Sequence, residues 1–185
     1  MIGELPTSLE AGGVKYAIRS DYRIALLIFQ AYEDPELTQQ EKHMTCIRCL
    51  YEDWQQIPRN DLADALKSAF WFLDGGDMPK KDQHAKTLDW EQDEKMVFSA
   101  VNKTAGFEVR AVEYLHWWTF LGYFAETGEG LLSTVMSIRN KRAKGKKLDK
   151  WEEEFLREHR NLIEIRRRLT KEEQAENDFV DSLFE

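Results

Sequence analysis

The segment HMTCIRC places His43, Cys46 and Cys49 three residues apart, a spacing that occurs in zinc sites and in thiol redox centres. A structural zinc site needs four ligands, and the sequence has no second pair of cysteines or histidines to complete one. The redox motif normally opens a helix after a strand, whereas this segment lies inside a predicted helix. We therefore interpret these residues as ordinary buried or surface residues of a helix, and we predict no metal site.

A second candidate for chemistry is the pair Glu113 and His116, which forms one Glu-x-x-His motif. A di-iron centre needs this motif twice and two further carboxylates, and the sequence has no second copy. It also lacks the Gly-x-Gly-x-x-Gly, P-loop and Gly-x-Ser-x-Gly motifs. The sequence therefore predicts a protein that is not an enzyme and uses no cofactor, with His116 hydrogen-bonded beside the neighbouring tryptophans.

The composition is that of a folded, acidic chain. The 185 residues are 42% hydrophobic and 12% aromatic, and the net charge is -8. This length fits one domain or at most two small ones, the apolar content argues against disorder, and the negative charge disfavours a general nucleic-acid binder. The two cysteines, the absence of a signal-peptide pattern and the lack of a long apolar stretch predict a cytoplasmic protein without a membrane span.

Few prolines and glycines favour a mainly α fold, a multi-helix globular domain that begins with a small β-hairpin. Short alternating runs at 7–10 and 14–18 flank Gly12 and Gly13, which suit the positive φ of a tight turn. Ser20 or Asp21 is predicted to cap a first helix through Tyr32. Its predicted buried stripe consists of Ile24, Leu27, Ile28 and Ala31.

Two further helices follow in the first half of the chain. Thr38 and Glu41 form a capping box that opens the second helix, which is predicted to run to about Asp53. Asn60 or Asp61 caps the third, whose apolar positions 62, 65, 66, 69, 70 and 73 match the helical period before the stop at 75–76. Residues 75–87 have no apolar periodicity and are predicted to form a long mobile loop.

The aromatic residues are concentrated in the second half. Asp89 is predicted to cap a fourth helix that ends near Gly106, and a fifth helix is predicted from about Val109 to Ala125. This fifth helix is apolar nearly all round, so it lies either at the centre of the core or in an interface. Its candidates for partner contact, with core packing as the alternative, are Trp117, Trp118, Phe120, Tyr123 and Phe124. A sixth helix is predicted from Leu131 to Arg142.

The last third of the chain is polarised in charge. The run from Arg139 to Lys150 carries a charge of +6 and the run from Thr170 to Glu185 a charge of -5. The basic run is interpreted as a solvated segment or a contact for an acidic partner, with phosphate binding as the alternative. The tail adds a short amphipathic patch, Phe179, Val180, Leu183 and Phe184, after a capping box of Thr170 and Glu173.

A heptad spacing also marks this region, because Leu148, Phe155, Leu162 and Leu169 recur every seven residues. Glu158 interrupts the second apolar position, so either a short coiled coil or packing against the globular body fits the pattern. We predict a helical domain over residues 1–145. Residues 146–185 are predicted to form a charged helical extension that packs on it or stands apart.

Several long segments of the sequence, taken in order along the chain, resemble one known protein family. They include LYEDW, FWFLDGG, LDWEQD, VNKTAGFEVRAVEYLHWWTFLGYFAETGEG and STVMSIRNKRAKGKKLDKWEEEF. Over residues 1–160 the sequence resembles the phage gene-product-fifteen family of tailed bacteriophages and prophages of Gram-positive bacteria. Members are encoded between the major tail protein and the tape-measure protein, in the position of the tail assembly chaperones.

The resemblance implies a non-enzymatic tail assembly chaperone that keeps the tape-measure protein soluble in the cytoplasm of the infected or lysogenic host. Its partners would be the tape-measure protein and other tail proteins, with self-association expected and nucleic acid disfavoured. An aromatic, acidic helical protein suits this role, because it could cover apolar helices and keep the complex in solution. The alternatives are a structural tail or connector component retained in the virion, or a nucleic-acid-binding regulator that uses residues 139–150.

Overall fold

A computed structural model describes residues 3–77 and 86–175, and its first element is the predicted hairpin. Strands β1 (Ser8–Ala11) and β2 (Val14–Ala17) pair antiparallel, with Ala11 opposite Val14. Gly12 and Gly13 therefore form a two-residue turn, in which both have positive φ, 57° and 79°. The sequence prediction of a hairpin is confirmed, and β1 packs against the third helix.

The turn gives a first testable prediction, that Gly12→Ala destabilises the protein more than Gly13→Ala. A Cβ at a positive φ costs about 1–2 kcal/mol at either position. At Gly12 the added Cβ would also lie 2.4 Å from Asp61 Cγ, whereas at Gly13 it meets no described atom within 4 Å. Urea unfolding of both variants measures the difference. Equal losses would contradict the close approach of the turn to Asp61.

The first three helices pack side by side. They are α1 (Tyr22–Glu33), α2 (Gln39–Leu50) and α3 (Leu62–Leu73). Asp21 caps α1, and Thr38 and Glu41 form the predicted capping box of α2. Short 3-10 helices at Trp54–Gln56 and Arg59–Asp61 connect α2 to α3. Gly75 and Gly76 follow α3 with positive φ, as predicted.

Two predictions about these helices are wrong. The buried face of α1 is formed by Tyr22, Ala25 and Ile28, whereas Leu27 is 52% exposed and does not belong to a buried stripe. Helix α2 ends at Leu50 instead of Asp53, because Tyr51 bridges to Ile18 beside the hairpin. In both places the packing of other elements, and not the local apolar period alone, decides the outcome.

Helix α4 (Glu94–Ala105) begins later than predicted. Asp89 is not its cap; its Oδ1 accepts the backbone N–H groups of Glu91 and Gln92 at 3.1 and 2.8 Å, which fixes a turn before the helix. The helix ends at Gly106, whose φ is 79°, as expected for a left-handed stop. Residues 78–85 of the predicted mobile loop lie outside the described residues.

The predicted fifth helix is also shorter, because α5 spans only Trp117–Ala125. Residues Val109–Ala111 form a 3-10 helix, and residues 112–116 are not helical. This segment bonds to the start of α1 through Tyr22 N–H to Leu115 O, 3.0 Å, and the first residue of α5 does so through Trp117 N–H to Ser20 O, 2.8 Å. These hydrogen bonds to a distant part of the chain take the place of a helical turn of its own.

The C-terminal extension packs on the body through helix α6 (Leu131–Ala143). Helices α7 (Lys150–Glu158) and α8 (Arg160–Ile163) are separated by His159, so no continuous heptad helix forms there. Buried Val135, Ile138 and Ile163 form a small second core, against which three heptad residues pack: Leu148, Phe155 and Leu162. These three heptad residues therefore pack against the globular body, which is the second of the two alternatives predicted for the heptad pattern.

One buried ion pair joins α6 to the start of α4. Arg139 on α6 and Asp93 at the start of α4 are 5% and 1% exposed, and the guanidinium donates to both carboxylate oxygens. The same guanidinium donates to the carbonyls of Leu162 and Ile163 at 2.6 and 2.9 Å. Arg139, predicted as part of a solvated basic run, is therefore an internal connector between α4, α6 and α8.

Candidate partner-binding site

The aromatic helix α5 lies at the centre of the main core. Trp117 and Phe120 have no exposed surface. The Trp117 indole N–H donates to Leu73 O at 2.9 Å, and the Phe120 ring stacks on Tyr22 with centroids 4.7 Å apart. A side chain without exposed surface cannot touch a partner while the chain is folded. These two predicted contact residues therefore pack in the core.

The other three predicted contact residues are half-buried. The Trp118 indole N–H donates to Phe72 O at 2.8 Å, Tyr123 lies edge-on to Phe107, and the Phe124 ring centroid is 5.3 Å from that of Trp90. Each therefore keeps a face for packing and a smaller accessible face. Partner contact through Trp118, Tyr123 and Phe124 stays a prediction.

A groove of about 400 Å³ lies between α1 and α4 and is lined by accessible apolar side chains. Its walls include Leu26 and Leu27 on α1, Phe98 on α4, and Trp90 in the turn before α4. Leu27 is the exposed member, while the Trp90 ring stacks on Phe29 at 5.8 Å and is fixed by the core. The groove thus combines a rigid aromatic wall with a leucine that has no cover in the described chain.

Charged side chains line the same groove. At the N-terminal end of α1, the Arg23 guanidinium lies 4.7 Å from the Tyr22 ring and that of Arg110 lies 4.8 Å from the Phe98 ring. Glu91 lies beside Trp90, towards the C-terminal half of α1. Each of these charges already has a partner in the chain: Asp21 pairs with Arg23 at 3.0 Å, Glu108 with Arg110 at 2.7 Å and Arg168 with Glu91 at 2.9 Å.

Sequence reasoning did not identify this groove. The apolar spacing predicts Leu27 in the buried stripe of α1, and no sequence pattern marks Trp90. One feature of the sequence does indicate an uncovered apolar face, the number of apolar residues in α1. Too wide an arc for one buried stripe is occupied by Ile24, Leu26, Leu27, Ile28 and Phe29. Only the position of α4 decides which part of that arc remains open.

The cysteine segment lies within α2, as predicted. Cys46 is fully buried and burial raises the pKa of its thiol to about 12; burial also raises the pKa of Cys49. Both thiols are therefore held in the neutral form, which is a poor metal ligand and nucleophile. Across the described residues, no three His, Cys, Asp or Glu side chains come together in a way that would hold a metal ion.

Glu113 and His116 do not share a helix, because both belong to the non-helical segment before α5. Glu113 is exposed, whereas His116 is buried. His116 Nδ1 accepts the backbone N–H of Trp118 at 3.0 Å, so Nε2 carries the proton that is donated to Pro6 O at 3.0 Å. The predicted hydrogen bond of His116 beside the tryptophans is present, and it orients the start of α5.

The basic run divides into buried and exposed members. Arg139 is internal, and the Lys141 ammonium pairs with Glu152 on α7. Arg142, Lys144, Lys146, Lys147 and Lys150 are exposed. Contact of these five with an acidic partner or with phosphate stays a prediction, and the apolar patch at 179–184 lies outside the described residues.

The chain matches the family model described as "Bacteriophage Gp15 protein" over residues 1–165. No curated protein and no solved structure was found to match it. Within the part of the chain that the structure describes, none of the helices combines the length and the apolarity that crossing a bilayer requires. The match covers most of the 185 residues, from the hairpin through α8, so the chain belongs to the bacteriophage Gp15 family, whose members are phage proteins with a role in phage structure or assembly.

Proposed function

We propose that this protein is a non-enzymatic tail assembly chaperone, which binds helical segments of the tape-measure protein through the groove between α1 and α4. The half-exposed Leu27 above the aromatic wall carries the proposal, because it is an apolar anchor site of the size that one helix face needs. The protein acts in the cytoplasm of the host, before the tail tube encloses the tape measure.

The geometry suits weak and repeated binding. A groove of this size takes one or two anchor residues of a helix, so a single contact is modest. Many copies along one tape measure, associating with one another, gain avidity, yet each copy can be displaced singly by a tube subunit. The net charge of -8 keeps the loaded complex in solution.

Co-expression with the tape-measure protein of the same phage or prophage tests the proposal. Leu27→Glu should weaken the complex by at least about tenfold, because a carboxylate in the groove must be desolvated. Val14→Glu is the matched control, since Val14 is also 52% exposed but lies on the hairpin. The control should bind like the wild type, and both variants should fold normally.

Two results would contradict the proposal. In the first, the tape-measure protein stays insoluble and no complex copurifies. In the second, mass spectrometry finds the protein as a stoichiometric component of purified mature particles, which would favour the structural tail component.

A further inference from the structure

The residues after α8 form a strap across the surface of the body. This C-terminal strap, residues 166–175, begins where the Gln92 side chain donates to Glu164 O at 2.8 Å and accepts the N–H of Arg166 at 2.9 Å. Further along, the Lys171 N–H donates to Glu36 Oε1 just beyond α1. The strap therefore spans the turn before α4 and the C-terminal end of α1.

Arg168 is the main anchor of the strap. Its guanidinium lies 2.7 Å from Glu33, 3.2 Å from Asp89 and 2.9 Å from Glu91. Burial alone would raise the pKa of Asp89, but the Gln92 N–H and the nearby cations Lys86 and Arg168 hold it below its usual range. Three carboxylates thus surround the guanidinium, and Lys86 pairs with two of them, Glu33 at 2.6 Å and Asp89 at 2.7 Å.

The contacts of Arg168 differ in how far solvent reaches them. The side chains of Asp89 and Glu33 are 3% and 20% exposed, whereas that of Glu91 is 56% exposed. The pair with Glu91 therefore contributes least, since solvent and salt screen it most. A competing cation on a docked partner needs to displace Arg168 only from Glu91.

Glu91 connects the strap to the groove between α1 and α4. Its carboxylate pairs with Arg168, and the same residue lines the groove next to Trp90. Asp89 and Glu91 flank Trp90 in sequence, so the strap site and the groove lie on the two sides of one turn. A ligand at this end of the groove meets a carboxylate that the strap already occupies.

We propose that the helix which docks in the groove carries a basic side chain that replaces Arg168 on Glu91, so that binding weakens the attachment of the C-terminal strap. The inference rests on the proposed function and names the chemistry of the partner. The partner is an amphipathic helix with apolar anchors for Leu27 and Trp90 and a lysine or arginine at the Glu91 end.

Binding of overlapping fluorescent peptides from the tape-measure protein tests this inference in the full-length chain. Arg168→Ala should tighten binding by about three- to tenfold at low salt, because it removes the competitor and raises the fraction of open sites. Arg167→Ala is the matched control: Arg167 is the adjacent arginine and pairs with Glu173 inside the strap. This control should leave the dissociation constant unchanged.

Two further measurements separate competition from a general structural effect. A peptide with its basic residue changed to glutamine should bind the wild type and Arg168→Ala equally, because it no longer competes for Glu91. Hydrogen exchange of the strap should rise when the basic peptide binds the wild type. Thermal unfolding checks that the variants are folded.

The outcomes distinguish this inference from the proposed function. If binding depends on Leu27 but is the same in the wild type and Arg168→Ala, or if the strap stays protected in the complex, only the competition is overturned. If no peptide binds any of the proteins, the proposed function and the inference both fail.

Discussion

Replacing Arg139 with alanine should lower the free energy of unfolding by about 3–5 kcal/mol, because the Asp93 carboxylate would remain buried without its cation. The side chain of Asp93 is fully buried and that of Arg139 is 3% exposed, so water cannot replace the guanidinium without opening the fold. The substitution also removes the donors to the carbonyls of Leu162 and Ile163. Urea unfolding measures the loss, and hydrogen exchange should locate increased opening at 160–165.

Arg142→Ala is the control for this experiment. Arg142 lies on the same helix and in the same basic run, but it is exposed. Its replacement should change the stability by no more than about 0.5 kcal/mol, as for most surface sites. Similar losses for the two variants would contradict the assignment of Arg139 as a buried connector, and the basic run would be uniform in role.

Trp117→Ala should also cost about 3–5 kcal/mol, because the residue is fully buried at the centre of the main core. The change removes the ring that packs on Phe29, Trp90 and Phe120, and it leaves Leu73 O without its indole donor. Thermal unfolding together with urea unfolding measures the effect. The loss of tryptophan fluorescence must be allowed for by following the far-ultraviolet circular dichroism.

Trp151→Ala provides the matched comparison, since the same change is made at a tryptophan that is 58% exposed. We expect a change within about 0.5 kcal/mol at this site. If Trp117→Ala left the protein as stable as Trp151→Ala, α5 would not be the centre of the core. The interface interpretation of the aromatic helix would then regain its support.

Three arginines hold helix ends and the connections between helices. Arg19 donates to the carbonyls at the end of α2, Arg23 to the carbonyls of Arg110 and Val112, and Arg139 to those of Leu162 and Ile163 at the end of α8. Carbonyls in the last turn of a helix and outside helices and strands need donors, and a guanidinium supplies five N–H groups in a fixed fork. Each arginine thus supplies donors that the local backbone lacks.

The elements that the sequence predicted well are those determined within a few residues. The Gly12-Gly13 turn, the Thr38 and Glu41 capping box and the stop at Gly106 all depend on local backbone and side-chain chemistry. The mainly α fold class and the hairpin follow from such signals, and so does the placement of Cys46 within a helix.

The errors occur where a distant partner competes with the local preference. Residues 112–116 have helical periodicity with α5, yet their backbone bonds to the start of α1 through Ser20 and Tyr22. His159 divides a heptad pattern because α8 turns to meet α6 and Arg139. The exposure of Leu27, and with it the candidate groove, depends on where α4 lies.

The family, the helical class, the turns and caps and the uneven charge of the chain can all be read from residue types and from neighbours in the chain. Which apolar residues are covered and which charges are paired depends on how the helices pack. Arg139 and Arg142 are alike in the sequence, and Leu27 and Ile28 are adjacent members of the same apolar run. Their different roles arise because burial and pairing depend on contacts between residues far apart in the chain, such as Arg139 with Asp93 and Arg168 with Glu91.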